Sequence, residues 1–393
     1  MKTIRHFLFL AIAPLLLLSC SKSKNDPKGD TNPQNLAGLN LQQKINVAGN
    51  GYITIATLQN DGKLVVATDK GLLRINADGT SDNSFNPHVD IKNIGEFCSS
   101  LTAMDDGKIL AGFRLPKAYA DVGYRALYRL NSDGSIDNSF VVNIQGGHSS
   151  TTEINATLPL SDGSVIVAGN FYQTDGVQNY HLTKLSSTGR YVAGFSPNIS
   201  PESLSDFIGL YPLPNNKFMA TGSAYTNSLL SPGRQHAIIF NNNGTVDESF
   251  NFTEEMYVEF PAPRMKIINA VEQLQDGTYL FGGSFDNIWH INASGQKSNS
   301  VEFRNPINAI ISLDNGKFLL GSSDGRGRAV FEDWEYKEFL SVYDKNTGEI
   351  THSSLGFDNG SVYTIFRNQD NSFLIIGNFE KGSERYHILK LVK

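Results

Sequence analysis

LYRLNSDGSIDNSF, residues 127–140, is an apolar-alternating strand, a tight Asn-Ser-Asp-Gly turn and a short second segment ending on a phenylalanine. The pattern returns as LRINADGTSDNSF from Leu73, TKLSSTGRYVAGF from Thr183 and IIFNNNGTVDESF from Ile238. Weaker copies follow, WHINASGQKSNSV from Trp289 and SVYDKNTGEITHSSL from Ser341. The turn glycines, Gly79, Gly134, Gly189, Gly244, Gly295 and Gly348, stand 55, 55, 55, 51 and 53 residues apart. A fixed period of that size marks an array or a propeller.

A second turn precedes each of these: NDGK from Asn60, DDGK from Asp105, SDGS from Ser161, PNNK from Pro214, QDGT from Gln275, DNGK from Asp314 and QDNS from Gln369. Asn-Gly, Asp-Gly and Asn-Asn supply the positive φ of two-residue hairpin loops, so seven hairpins are expected. Seven residues before the turn's Gly or Asn the chain is mostly small, with Ser100, Ala156, Ala270 and Ala309. That column suits the innermost strand, beside a crowded axis. Two positions earlier the column is Ile53, Cys98, Ile154, Phe207, Ile268, Ile307 and Val362. After each turn comes an unbroken apolar run (LVVA, ILAG, VIVAG, FMATG, YLFGG, FLLG, FLIIG), as in a strand covered on both faces. The glycine closing most runs implies a bulge or a close backbone approach. A third strand leads to the Asn-x-x-Gly turn, and a fourth runs through Phe85, Phe140, Phe195 and Phe250. Four antiparallel strands per unit, seven times, predict an all-β, seven-bladed β-propeller over residues 36–393.

DGKILAG, RLNSDGSIDNSF and SDGSVIVAGNF resemble the delta-60 repeat, a bacterial β-propeller repeat also catalogued as a domain of unknown function. The resemblance covers residues 36–393, although the last three copies lack the D-x-S-F ending. It implies the propeller fold and no catalytic residues.

Seven inner hairpins face only six Asn-x-x-Gly turns, because the chain stops after a third strand at LKLVK. The missing strand is expected from residues 36–44, paired antiparallel with residues 387–392. LAGLN from Leu36 matches VAGFS from Val192, which puts Leu39 in the phenylalanine column.

Residues 1–20 read as a lipoprotein signal peptide. Lys2, Arg5 and His6 precede an apolar run over residues 7–18, and Leu-Leu-Ser-Cys ends on Cys20, the expected site of acylation. Residues 21–35, SKSKNDPKGDTNPQN, read as a flexible tether. Ser21 rather than Asp after Cys20 is similar to cargo of the outer membrane, facing the periplasm or the surface. The formal charge of −6 with dispersed Lys and Arg argues against nucleic acid.

Chemistry is sparse. Residues 321–325 fit G-x-S-x-G, but within a repeat strand rather than a strand–turn–helix elbow. Asn-x-Asp-Gly-x-x-Asp over residues 131–137 fits either a weak calcium loop or an Asx-stabilised turn. The histidines show no metal-ligand spacing, and no cofactor is expected. Cys98 reads as a small core residue. Arg74, Arg129, Lys184 and Lys390 share one third-strand column, read as a solvated strand face rather than a basic ring. Alternation puts both short turns on one face of the disc and the variable connections on the other. Those connections carry Tyr119, Tyr124, Tyr172, Tyr180, Tyr225, Arg328, Trp334 and Tyr336, candidate residues for stacking on a sugar or docking a protein. The expected function is a membrane-anchored, non-enzymatic module binding a glycan or an envelope protein. The alternatives are a carbohydrate-active hydrolase or lyase and a structural, envelope-assembly subunit.

Overall fold

The computed structural model describes residues 35–47, 52–87, 98–116, 120, 123–147, 151–199, 206–226, 233–258, 264–285, 287–303, 305–323 and 338–393. Among the described residues seven antiparallel units built on inner hairpins follow one another, each called a sheet below although Thr151–Glu153 pairs with Arg114–Pro116 and so joins the second to the third. Their inner strands are Ile53–Leu58, Cys98–Ala103, Thr151–Pro159, Asp206–Leu213, Ile268–Gln273, Ile307–Ser312 and Asn359–Arg367. Each inner strand contacts the next, and the last contacts the first, so the sheets form a closed ring. The core lies between successive sheets. Ile53, Val66 and Ile75 of the first pack on Ile376 and Ile388 of the seventh, and Phe318 and Tyr343 of the sixth pack on Leu280 and Ile288 of the fifth.

The ring closes through the N-terminal strand. Leu39–Ile45 pairs antiparallel with Glu384–Val392, in the register Asn40↔Val392, Lys44↔Leu389 and Ile45↔Ile388. Leu36 and Leu39, exposed by 0% and 2%, fill the seat that phenylalanine occupies in other sheets. Ala37 and Gly38, both at positive φ, turn the chain back so that Leu36 pairs with Leu39.

Two expectations change. Of the seven inner hairpins, Asn215-Asn216 and Asn315-Gly316 alone have positive φ at both central positions, the signature of a two-residue hairpin loop. In the other five hairpins a single Gly or Asn is left-handed. At Gly62, for example, the amide donates to Gln59 O while Gln59 N donates to Lys63 O. In those five turns an aspartate carboxylate accepts from the amide two residues on, as Asp61 does from Lys63 and Asp106 from Lys108, which holds the aspartate out of the left-handed region.

The fourth strand is also different. In the first four sheets it shrinks to one bridge each: Ile75↔Ser81, Leu130↔Ile136, Leu185↔Tyr191 and Phe240↔Val246. Where D-x-S follows the bridge, as at Asp137-x-Ser139, the Asp137 carboxylate accepts from Ser139 N at 2.9 Å and from its hydroxyl at 2.6 Å. That local turn competes with the ladder and tucks Phe140 into the core. The third sheet, with YVAGF in place of D-x-S-F, keeps a single bridge beside which Tyr191 N donates to Asp175, whereas the fifth and sixth form a full fourth strand, Lys297–Glu302 and Ile350–Ser353.

The basic column is not a solvated face. Arg74, Arg129 and Lys184 are buried, at 7%, 6% and 8% exposure. Arg129 Nε lies 2.7 Å from Asp137, its Nη1 donates to Ser187 O of the next sheet at 2.8 Å, and its guanidinium sits 4.5 Å above the Phe140 ring. Arg74 repeats this with Asp82, Ser132 O and Phe85, and Lys184 reaches Asn242 Oδ1 of the next sheet at 2.7 Å. Only Lys390 is partly exposed, paired with Asp370 at 3.1 Å. Arg74, Arg129 and Lys184 join neighbouring sheets, and the D-x-S-F aspartate is the acceptor for the two arginines.

Candidate functional site

The two ends of the ring differ. At one end the short turns touch each other around the disc: Gln59 donates to Gly107 O, Asn60 to Asp105, and Gln369 to Asn60 O. This end is repetitive and bonded to itself. The other end holds the entry of every inner strand and the variable connections.

Every inner strand is bulged near that entry. The irregularity falls at the same place in all seven, between Ile53 and Ile55, Cys98 and Ser100, Ile154 and Ala156, Phe207 and Gly209, Ile268 and Ala270, Ile307 and Ala309, and Val362 and Thr364. The bulged residue is left outside the ladder, re-aimed relative to its neighbours. Several of these residues form a polar belt running from one inner strand to the next. Ser99 Oγ donates to Ile154 O at 2.8 Å, Asn155 Nδ2 to Phe207 O at 2.9 Å, Asn269 Nδ2 to Asn308 Oδ1 at 3.2 Å, and Asn308 Nδ2 to Val362 O at 2.8 Å. The belt is broken where the bulged residue is apolar or aromatic: Ile208, 39% exposed, and Tyr363, 36% exposed. The polar column lies between the apolar and the small columns of the repeat. Its signal was a Thr, Ser or Asn eight residues ahead of five of the seven turns.

Of the loop candidates, Tyr172 and Tyr180 come together, with ring centroids 5.8 Å apart, and both lie beside His181. Burial, then the nearby Asp206 carboxylate and Tyr180, push the Tyr172 hydroxyl up from its usual range. The insertion carrying them does not rise from the face. Its hairpin, Gln173–Thr174 and Val177–Gln178, folds down the outer edge of the third sheet, where Asp175 accepts from Arg190 at 3.1 Å and from Tyr191 N at 2.9 Å. Tyr124 borders a depression of about 280 Å³ on the outer edge of the second sheet, with Arg125, Tyr128, Ile136 and Asn138. Tyr225 lies on the strand Lys217–Thr226, in register with Arg234. Tyr119, Arg328, Trp334, Tyr336 and Cys20 lie outside the described residues.

A histidine column also went unnoticed in the sequence. His181 and His236 each stand eight residues before a turn glycine, and His387 holds the same place in the last sheet. His181 Nδ1 lies 3.2 Å from Gly169 O and His236 Nδ1 2.9 Å from Gly222 O, while Val47 N donates to His387 Nδ1 at 3.3 Å. Asp206 Oδ1 approaches His181 Nδ1 to 3.6 Å, and this oxygen and His181 Nε2 are buried without a hydrogen-bond partner.

The remaining candidates have local explanations. Cys98 is buried, and burial pushes its thiol up to about 12. Ser323 of the G-x-S-x-G stretch bridges to Ser361 of the next sheet. In the Asn-x-Asp-Gly-x-x-Asp stretch, Asp133 accepts from Ser135 N and Asp137 from Ser139 N, each as in an Asx turn, and Asp137 also receives Lys108 and Arg129.

The family described as "Domain of unknown function (DUF5122) beta-propeller" matches residues 59–85, 105–140 and 160–190. The extracellular domain of a putative one-component system from B. thetaiotaomicron is similar over 90% of this chain, with a TM-score of 0.57 and 14% identity. This chain spans 40% of that protein's length. Streptogramin B lyase is similar over 90% of this chain and 97% of its own, with a TM-score of 0.56 and 13% identity. The fold is a β-propeller. No curated protein matches the sequence. At such identities the likeness extends to the architecture alone. In the propeller, the belt of bulged residues lies at one mouth of the axial channel around which the blades are arranged.

Proposed function

We propose that this propeller is a binding module tethered to the outer membrane through acylated Cys20, facing the periplasm or the cell surface, and that it captures a glycan or an envelope protein without transforming it. One observation carries the reading. The acids and bases that repeat from blade to blade are committed to structure: Arg129 pairs with Asp137 and Lys217 with Asp247 inside their own blades, both at 2.7 Å, and Arg129 and Lys184 also bond the next blade at Ser187 O and Asn242. The strand alternation of the sequence assigns what varies between blades to the opposite end, in connections whose sequence carries Tyr119, Tyr225, Arg328, Trp334 and Tyr336. Part of the extracellular domain of the putative one-component system has a similar architecture.

Trp334→Ala and Tyr336→Ala are expected to weaken binding by about 1–3 kcal/mol, by analogy with base stacking, without moving the melting temperature. Asp106→Ala, on the self-bonded face, is expected to leave binding unchanged. Equal losses from both faces would contradict the assignment. Cys20→Ala is expected to release the protein from membranes in fractionation; a variant still wholly membrane-bound would remove the anchor from the reading.

A catalytic reading keeps one observation in its favour, the approach of Asp206 to His181 beside Tyr172. It requires turnover that His181→Gln abolishes, whereas a binding module loses no product formation because it has none.

A further inference from the structure

The bulged belt has a composition and an arrangement that the loop face does not account for. A bulged residue of an inner strand has neighbours on both sides that face adjacent sheets, as the buried Phe207 and Val362 do. Its own side chain is therefore left to the channel. Two of the five large hydrophobic residues exposed among the described residues, Ile208 and Tyr363, are in the belt itself; Ile267 stands one residue ahead of an inner strand, whereas Tyr52, placed likewise, lies against Arg385 of the third strand of blade 7. Surface leucines and isoleucines scattered singly need no explanation, but a set gathered at one concave opening does.

Ile208 is in blade 4 and Tyr363 in blade 7, three blades apart, which is the widest separation a ring of seven allows. Asn269 and Asn308 occupy the arc between them on one side, and Thr54, Ser99 and Asn155 the arc on the other. Ile208 and the ring of Tyr363, whose hydroxyl accepts from Asn378 Nδ2 on the second strand of its own blade, thus stand on opposite walls of the belt, and amides and hydroxyls fill both intervals. Each amide is held in place by a bond to the next inner strand, so its remaining polar positions are oriented before any ligand arrives. The belt contains no carboxylate and no cation.

We infer that the mouth of the axial channel is a binding site for a neutral saccharide residue, with Tyr363 and Ile208 against the C–H faces of the sugar ring and the amides of Asn155, Asn269 and Asn308 toward its hydroxyls. A pyranose has that same division, apolar faces and a polar edge. A charged ligand would find no counter-ion in the belt. The inference rests on the binding-module reading and moves the site from the loops to the channel.

The test uses the full chain and neutral tetrasaccharides of glucose, mannose and xylose, titrated calorimetrically. Tyr363→Ala is expected to weaken binding roughly tenfold or more, the equivalent of losing one good contact. Tyr363→Phe retains binding, because the ring face and not the hydroxyl is used. Ile208→Asn weakens it as well, and the thermal melts of all three stay within those of the parent. Binding lost in Trp334→Ala and Tyr336→Ala but intact in Tyr363→Ala and Ile208→Asn overturns the channel site and leaves the loop-face module standing. If the parent binds none of the saccharides, the saccharide assignment is wrong and only a protein partner remains for the module.

Discussion

Arg129 is bonded to its own blade through Asp137 and Ser139, to the next blade through Ser187 O, and stacks on Phe140. Asp137 also receives Lys108 at 2.8 Å. Burial pushes the Asp137 carboxyl up, but Lys108, Ser139 and Arg129 together hold it well below the usual carboxylate range. Removing the acid strands a buried guanidinium, so Asp137→Ala is expected to cost about 3 kcal/mol in urea denaturation. An effect under about 1 kcal/mol would show that the pair adds little. With its pKa depressed, the carboxylate contributes stability that is present above the ordinary value of 3.8 and is lost as the pH falls below it. His352 acts in a higher window. Burial lowers it from 6.5 to about 4, where it stacks on Phe303 and bonds Ser341 at 2.7 Å. Between those two values the unfolded chain binds a proton that the folded chain refuses, so stability falls as the pH drops from 6.5 to about 4. His352→Gln is expected to flatten that part of the melting-temperature profile, and an unchanged slope would assign it to other groups.

The strand-ending glycines answer to the bulges opposite them. Gly169 pairs with Ile154 at the irregularity of blade 3, and a Cβ there would stand 2.0 Å from Glu153 O. Gly283 and Gly377 meet Ile267 O and Ser361 O in the same way, at 1.9 and 2.0 Å. The obstacle is backbone and cannot swing aside. Gly169→Ala is accordingly expected to cost about 3 kcal/mol, the upper range for overpacking. Gly176, at φ +79 with nothing near its missing Cβ, should lose only about 1 kcal/mol as alanine, from backbone strain alone. Denaturation of the two variants side by side checks the difference, and equal costs would mean that the bulge yields.

Closure of the ring depends on a segment more than 300 residues distant in sequence from its partner, since Asn40 pairs with Val392. Without it, Glu384–Val392 becomes an open edge and Leu389 and Leu391 lose their cover. Deleting residues 35–45 is expected to lower stability by about 4 kcal/mol or more, on the burial of Leu36 and Leu39 alone, and to promote association. A truncated chain that stays monomeric with the parent's denaturation midpoint would show that closure is dispensable.

The repeat period, the seven hairpins, the missing strand and its replacement by residues near Leu39 were all legible in the sequence. They rest on nearest-neighbour properties: a left-handed turn needs Gly or Asn at one position, and a covered strand needs an unbroken apolar run. The basic column was misread as solvated for the opposite reason. Whether Arg74 or Arg129 meets water depends on the turn of the next blade, Ser132 or Ser187, more than fifty residues on, and no local pattern records that meeting. The D-x-S-F segment likewise looked like a strand until its aspartate bonded its own serine. The bulges set the polar belt facing the axis in the same way. They come from packing seven twisted sheets around one point, and so Tyr363 and Ile208 became a candidate site only once the ring had closed.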